Sequence, residues 1–351
     1  MSTATNEDNS TTSGVVDVEP GVLTEKDKQR LFNYALYLSQ GFYIFVANFL
    51  IVAAIMCYKK MRQKKEYVII AALALTDALA GITYMAAAIY RVPLVLNGEH
   101  KIKVNSWYCM TTFHAIMFVY AVPAVGLMLF LVSVDRFLAI AVPIKYYHFD
   151  ASYAYKLAGC CYAAALTSGT VLVLAAYMED RNARVHGALC GASSAMGATL
   201  SRQWYYGVRA FFGTASVVLY AAIPFLFSRY VKQVNKGKKQ SKRDKERQIK
   251  QQKRITITLG MSAGFTFVLY VIPNLIRTVL APIVPVHVFN FLSPFLDVIN
   301  NINAMLNIIL YVGRHADMRT AMWSVLRCKA QPIQPEGQMS NAAASAASGD
   351  D

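Results

Sequence analysis

The chain has 351 residues, 56% of them hydrophobic and only 16% charged, with a mean hydropathy of +0.35 and a formal net charge of +15. Soluble domains are about a quarter charged, so a cytosolic globular protein and a disordered chain are both excluded. Six cysteines over this length also exclude a disulfide-rich secreted module.

Residues 1–30 are polar and acidic, without the apolar run of a cleavable signal, and predict a disordered tail. They hold one glycosylation sequon, Asn9-Ser10-Thr11. Seven apolar stretches follow, each near the roughly 20 residues a helix needs to cross a bilayer. They run over Leu31–Tyr58, Tyr67–Tyr90, Val104–Val134, Leu157–Met178, Ala210–Ser228, Ile255–Leu280 and Val286–Gly313. Their hydrophobicity is continuous, not alternating, which favours helices over barrel strands. The fold expected is all-α: a seven-transmembrane helix bundle over 31–313. Residues 314–328 predict a short amphipathic membrane-surface helix, and 329–351 a second disordered tail.

Lys and Arg set the orientation. With the N-terminus outside, 24 of the 35 basic residues fall on cytoplasmic loops, twelve of them in 229–254. The positive charge therefore sits where anionic lipid would meet it. A loop between spans offers no base-reading motif, so nucleic acid is not an expected partner. The same topology sorts the cysteines. Only Cys109 and Cys190 face an oxidising compartment, which makes a bridge between them the default and two free thiols the alternative. The six histidines are scattered without metal-ligand spacing.

Polar groups at bilayer depth face the bundle interior. Asp77 lies mid-span. In the last span Asp297, Asn300, Asn303, Asn307 and Tyr311 follow helical steps of three and four, so they share one face. That face reads as a polar core able to bind a cation or water, or as ordinary interhelical hydrogen bonding. Asp135-Arg136, where the third span leaves the membrane, reads as a switch or as a snorkelling base.

These motifs resemble the rhodopsin-like (class A) G-protein-coupled receptors. Asn48 with Val52 is similar to the family's first-helix asparagine pattern, and Leu73-Ala74-Leu75-Thr76-Asp77 to its second-helix motif. Asp135-Arg136-Phe137 with Pro143 resembles the DRY motif, Phe267 with Pro273 the sixth-helix motif, and Asn307-Ile308-Ile309-Leu310-Tyr311 the NPxxY motif. Cys109 and Cys190 occupy the family's disulfide positions. The resemblance implies an activation switch at Asp135, Arg136, Tyr311, Phe267 and Pro273. It implies a sodium and water pocket at Asp77, Asn303, Asn307 and Asn48, with sodium the only cofactor-like guest. A ligand site between spans three, five, six and seven would draw on His114, Phe118, Tyr120, Arg209, Tyr270, Asn274, Arg277 and Asp297. Cys328 resembles a palmitoylation site. The implied function is a non-enzymatic plasma-membrane receptor for a chemical cue or neuropeptide, acting on a heterotrimeric G protein; a seven-span transporter or channel is the rival reading.

There are departures from the family pattern. Val271 stands where the family has tryptophan, Tyr270 precedes it, Ile308 replaces the NPxxY proline, and Val125 falls near an expected oxygen ligand. Lys253 lies near the usual acidic partner of the switch arginine. This drift resembles nematode serpentine chemoreceptors, the Srsx type among them.

Overall fold

The computed structural model describes residues 23–178, 186–196, 199–236, 264–314 and 316–327. The long helices are α1 (Glu25–Cys57), α2 (Lys65–Leu96), α3 (Phe113–Ala141), α4 (Ala151–Met178) and α5 (Thr199–Lys236). They are followed by α6 (Ile272–Ile283), α7 (Val286–Arg314) and α8 (Ala316–Leu326). Among the described residues, α1 to α5 hold windows long and apolar enough to cross a membrane, and 264–280 is a shorter apolar helix. Their outer surfaces carry Phe42, Phe49, Ile89, Leu166, Phe211 and Phe225 exposed. A soluble monomer would not leave so much apolar surface in water; lipid accounts for it.

The helices outrun the hydrophobic stretches that announce them, because local capping, not hydropathy, sets their ends. Helix α1 starts at Glu25, six residues before its apolar stretch. Thr24 and Asp27 form a capping box, the Thr24 hydroxyl accepting from the Asp27 amide while the Asp27 carboxylate accepts from the Thr24 amide. Helix α4 starts at Ala151, where Asp150 accepts from the Tyr153 amide. The third stretch behaves differently. Its first residues form a short strand, Lys103–Val104, and a turn of helix, Ser106–Met110. Thr111 and Thr112 then donate their hydroxyls to the carbonyls of Tyr108 and Cys109, and the spanning helix begins at Phe113.

Close backbone approach fixes the first helix pair. A Cβ added at Gly41 would stand 2.7 Å from the Gly81 carbonyl oxygen, and one at Gly81 would stand 2.8 Å from that of Gly41. Only glycine on both sides allows α1 and α2 to touch there. Further along the chain, Pro273 lacks an amide hydrogen and crowds the preceding turn. The backbone answers with a π-helical turn, Phe267–Val271, leading into α6.

Helix α8 packs Met318 and Ala321 fully against Ile51, Ile55, Met61 and Tyr67. Met322 and Val325 join this face, whereas Leu326 is 53% exposed. Near the start of α3, Lys103–Val104 pairs antiparallel with His186–Gly187, and Cys109 is bonded to Cys190.

Candidate functional site

Three polar layers occupy the bundle. The first ties the segment around Cys190 across one end of the bundle. Arg91 of α2 donates to the carbonyls of Leu189 (2.8 Å) and Cys190 (3.1 Å). His114 of α3 places Nε2 3.0 Å from the Cys190 oxygen and rests its ring 4.6 Å from that of Tyr90. Tyr90 donates to the Ala188 carbonyl at 3.3 Å. His114, a pocket candidate by sequence, is thus spent on the lid. Phe118 is likewise absorbed, edge-on to Tyr84 at 5.4 Å in the aromatic cluster that also holds Tyr34 and Tyr37.

The second layer centres on charge. Asp297 of α7 lies 2.8 Å from Arg277 Nη2 of α6, and accepts from Tyr37 of α1 (3.3 Å) and Tyr84 of α2 (3.4 Å). Arg277 also donates to the Ser293 carbonyl at 3.0 Å. Arg209 of α5 is 2% exposed and lies 5.6 Å from the Tyr205 ring. With its amide oriented to satisfy both atoms, Asn300 donates to the Leu269 carbonyl (3.0 Å) and accepts from Arg209 (3.3 Å). Asn274 donates to the Tyr270 carbonyl at 2.7 Å. Tyr270 itself fills the space between α3 and α5. A Cβ at Gly126 would stand 2.8 Å from its hydroxyl, and one at Gly213 3.0 Å from its ring. The tyrosine that precedes Val271 is therefore matched by two glycines on neighbouring helices.

The third layer is a small cavity of about 30 Å³, room for roughly two waters. Asp77, Val125, Arg209, Tyr270, Asn300 and Asn303 are among its walls. Asp77 and Asn303 are both 2% exposed, and the Asn303 Oδ1 has no partner among the described residues. One carboxylate and one free amide oxygen suit a cation, but Val125 offers no ligand and the Arg209 guanidinium shares the same walls. This donor set fits sodium poorly and water well. Asn48, grouped with Asp77 by sequence, donates to the Ile44 carbonyl on its own helix.

Two candidates lie elsewhere. Tyr120 points toward α4, its hydroxyl 3.3 Å from that of Thr170 and its ring filling the notch at Gly169. Being two residues from Phe118, it stands on nearly the opposite helix face, which corrects its placement in the ligand pocket. Phe267 is 43% exposed at the start of the π turn, outside the bundle interior that a switch residue requires. Pro273 is buried in the first turn of α6.

Toward the C-terminal end of α3, Asp135 is fully buried. It accepts from the Tyr146 hydroxyl at 3.1 and 3.2 Å and lies 3.6 Å from Arg136 Nε. Lys65 of α2 donates to the carbonyls of Tyr146 and Phe149 and covers the Tyr146 ring at 3.8 Å. The short helix Pro143–Tyr147 is thereby tied to both α2 and α3. Asn307 and Tyr311 lie on α7, but their side chains are outside the described set. Asn9, Lys253 and Cys328 lie outside the described residues altogether.

Sequence reasoning missed Tyr37, Tyr84, Arg91, Lys65 and Tyr146. For Tyr84 a signal existed, since it lies two turns from Asp77 on the same helix face. Lys65 looked like one more base of a topology signal, and only the fold reveals that it is buried.

The family model described as "7 transmembrane receptor (rhodopsin family)" matches residues 47–311. No curated protein matches the sequence.

Proposed function

From the premise that the chain belongs to the rhodopsin family of seven-transmembrane receptors, we propose that it binds a small extracellular molecule in its outer half and activates a heterotrimeric G protein at its cytoplasmic face. As a member of that family it is a multi-pass membrane receptor and not an enzyme. The observation that carries the finer reading is the layering itself. A polar chamber tied to α1, α2, α6 and α7 lies at one end, and the Asp135–Arg136–Tyr146 cluster at the other.

A ligand that prefers one arrangement of the helices shifts the population toward it. In this reading Arg136 leaves Asp135 when the inner end opens and meets the G protein, and Tyr311 steadies the open form. The N-terminus faces outward and the basic 229–254 segment lies against anionic lipid. A lid pinned by Arg91 and His114 favours a small chemical cue over a neuropeptide.

The test is a G-protein dissociation assay in cells against a library of small molecules. An active compound should lose its effect in Arg136→Ala at unchanged surface expression. Full signalling by that variant would remove Arg136 from the mechanism.

A further inference from the structure

Charge in the middle layer does not balance. Two guanidiniums, Arg209 and Arg277, are each 2% exposed, and one carboxylate, Asp297, is within ion-pair distance of Arg277 alone. Among the described residues, no carboxylate comes within that distance of Arg209. Both arginines keep Nε without a hydrogen-bond partner among the described residues, as does Oδ1 of the intervening Asn274. A buried charge left unpaired is strongly destabilising, and a guanidinium offers five donors in a fixed fork. Arg209 further lines, together with Asp77, the one cavity described in this region.

We propose that this chamber binds a carboxylate-bearing organic molecule, with Arg209 as the primary anchor and Arg277 as the second. The proposal rests on the receptor reading and names the chemistry of its ligand. A planar carboxylate matches the guanidinium fork in a bidentate way that an ammonium or an amide cannot. A cationic ligand would meet two buried guanidiniums against the single carboxylate of this layer, Asp297. Aromatic rings of Tyr205, Tyr206 and Tyr270 surround the arginines and suit the apolar body of such an acid. In the unliganded form Asp297 holds Arg277 in place, and Arg209 is the cation left waiting.

This arrangement has a signature that does not require the natural ligand. If Arg209 is an unpaired buried charge, Arg209→Met should melt several degrees higher than the wild type in ligand-free detergent solution. If Arg209 is instead a structural partner, through waters to Asp77 for example, the same variant should melt lower, and the proposal falls. In a second arm, acetate, benzoate and 4-hydroxybenzoate are compared with their primary amides on full-length receptor at matched ionic strength. Sodium chloride serves as the inorganic-anion arm. At least one acid should raise the melting temperature saturably, its amide needing at least a hundredfold higher concentration. The shift should vanish in Arg209→Met and weaken in Arg209→Lys. No response to any acid, equal response to the amides, or the same response to chloride would each overturn it.

Failure of the underlying reading looks different. Arg209-dependent stabilisation by an acid that releases no G protein in cells would leave the anion site standing and remove the coupling. A neutral or cationic agonist whose effect disappears in Arg136→Ala would keep the receptor and discard the anion.

Discussion

Asp297 gathers donors from three other helices, so its replacement tests how much of the outer bundle depends on one carboxylate. Asp297→Asn leaves Arg277 buried without its counter-charge. Breaking a buried pair from one side costs about 3–5 kcal/mol. We expect a large fall in melting temperature for Asp297→Asn, and recovery of most of it when Arg277→Met is added. Additive losses in the double variant would show that the two side chains do not act as a pair. At the N-terminal end of α1, His100 lies 3.2 Å from Asp27, with Arg30 bonded to the same carboxylate and Lys101 beside it. Burial pushes the His100 pKa below its ordinary value, outweighing the pull of Asp27, and Arg30 and Lys101 push the same way. The unfolded chain therefore takes up a proton more readily than the folded one. Stability contributed by neutral His100 is present above pH of about 6.5 and is lost as pH falls toward the lower folded value. Melting temperature should drop between pH 7.5 and 5.5, and His100→Gln should flatten that drop. An unchanged slope in the variant would place the pH sensitivity elsewhere.

The helices are held at distances set by glycines, and those distances can be probed one pair at a time. At Gly41 an added methyl meets the backbone of α2, which has no rotamer to yield. Gly41→Ala should therefore cost about 1–3 kcal/mol, as overpacking generally does, read as a lower melting temperature. Gly126→Ala is crowded below ordinary contact distance by the hydroxyl of Tyr270, with the Arg209 backbone in ordinary contact at 3.5 Å, so Tyr270→Phe should rescue it. Failure of that rescue would mean that the α3–α6 contact is fixed by something besides the tyrosine. These contacts also show where sequence reading stops. The seven apolar stretches, the inward polar face of the last one, and the pairing of Cys109 with Cys190 were legible because bilayer thickness, helical period and compartment each act on sequence directly. Helix ends were misplaced because capping by Thr24 and Asp150, and the hydroxyl bonds of Thr111 and Thr112, act over a single turn that hydropathy averages away. Tyr120 went to the wrong side because the rotation of α3 is decided by partners such as Gly169, which are distant in sequence. The Tyr270–Gly126–Gly213 set was invisible for the same reason, since a glycine in a span announces room without saying whose side chain fills it.

Across the whole molecule, orientation is the quantity from which every functional assignment follows, and charge is the force that sets it. Basic residues resist transfer to the outer side, and their bias over short loops decides which side a helical membrane protein shows. With the N-terminus outside, as proposed, 24 of 35 fall on cytoplasmic loops, and the sequon at Asn9 and the disulfide Cys109–Cys190 would both lie on the outer side. These signals have separate origins in insertion energetics, glycan transfer and thiol oxidation, and they point the same way. An epitope placed before Asn9 should be reached by antibody on intact cells, and one placed after Asp351 only after permeabilisation. Asn9→Gln should shorten the apparent mass by one glycan, to the size left by glycosidase treatment. Staining of both ends on intact cells would require an even number of crossings. The chamber at Arg209 and the Arg136 cluster would then lose their assigned sides of the membrane, and with them the route by which a shape change in the bundle connects a ligand outside to a partner within.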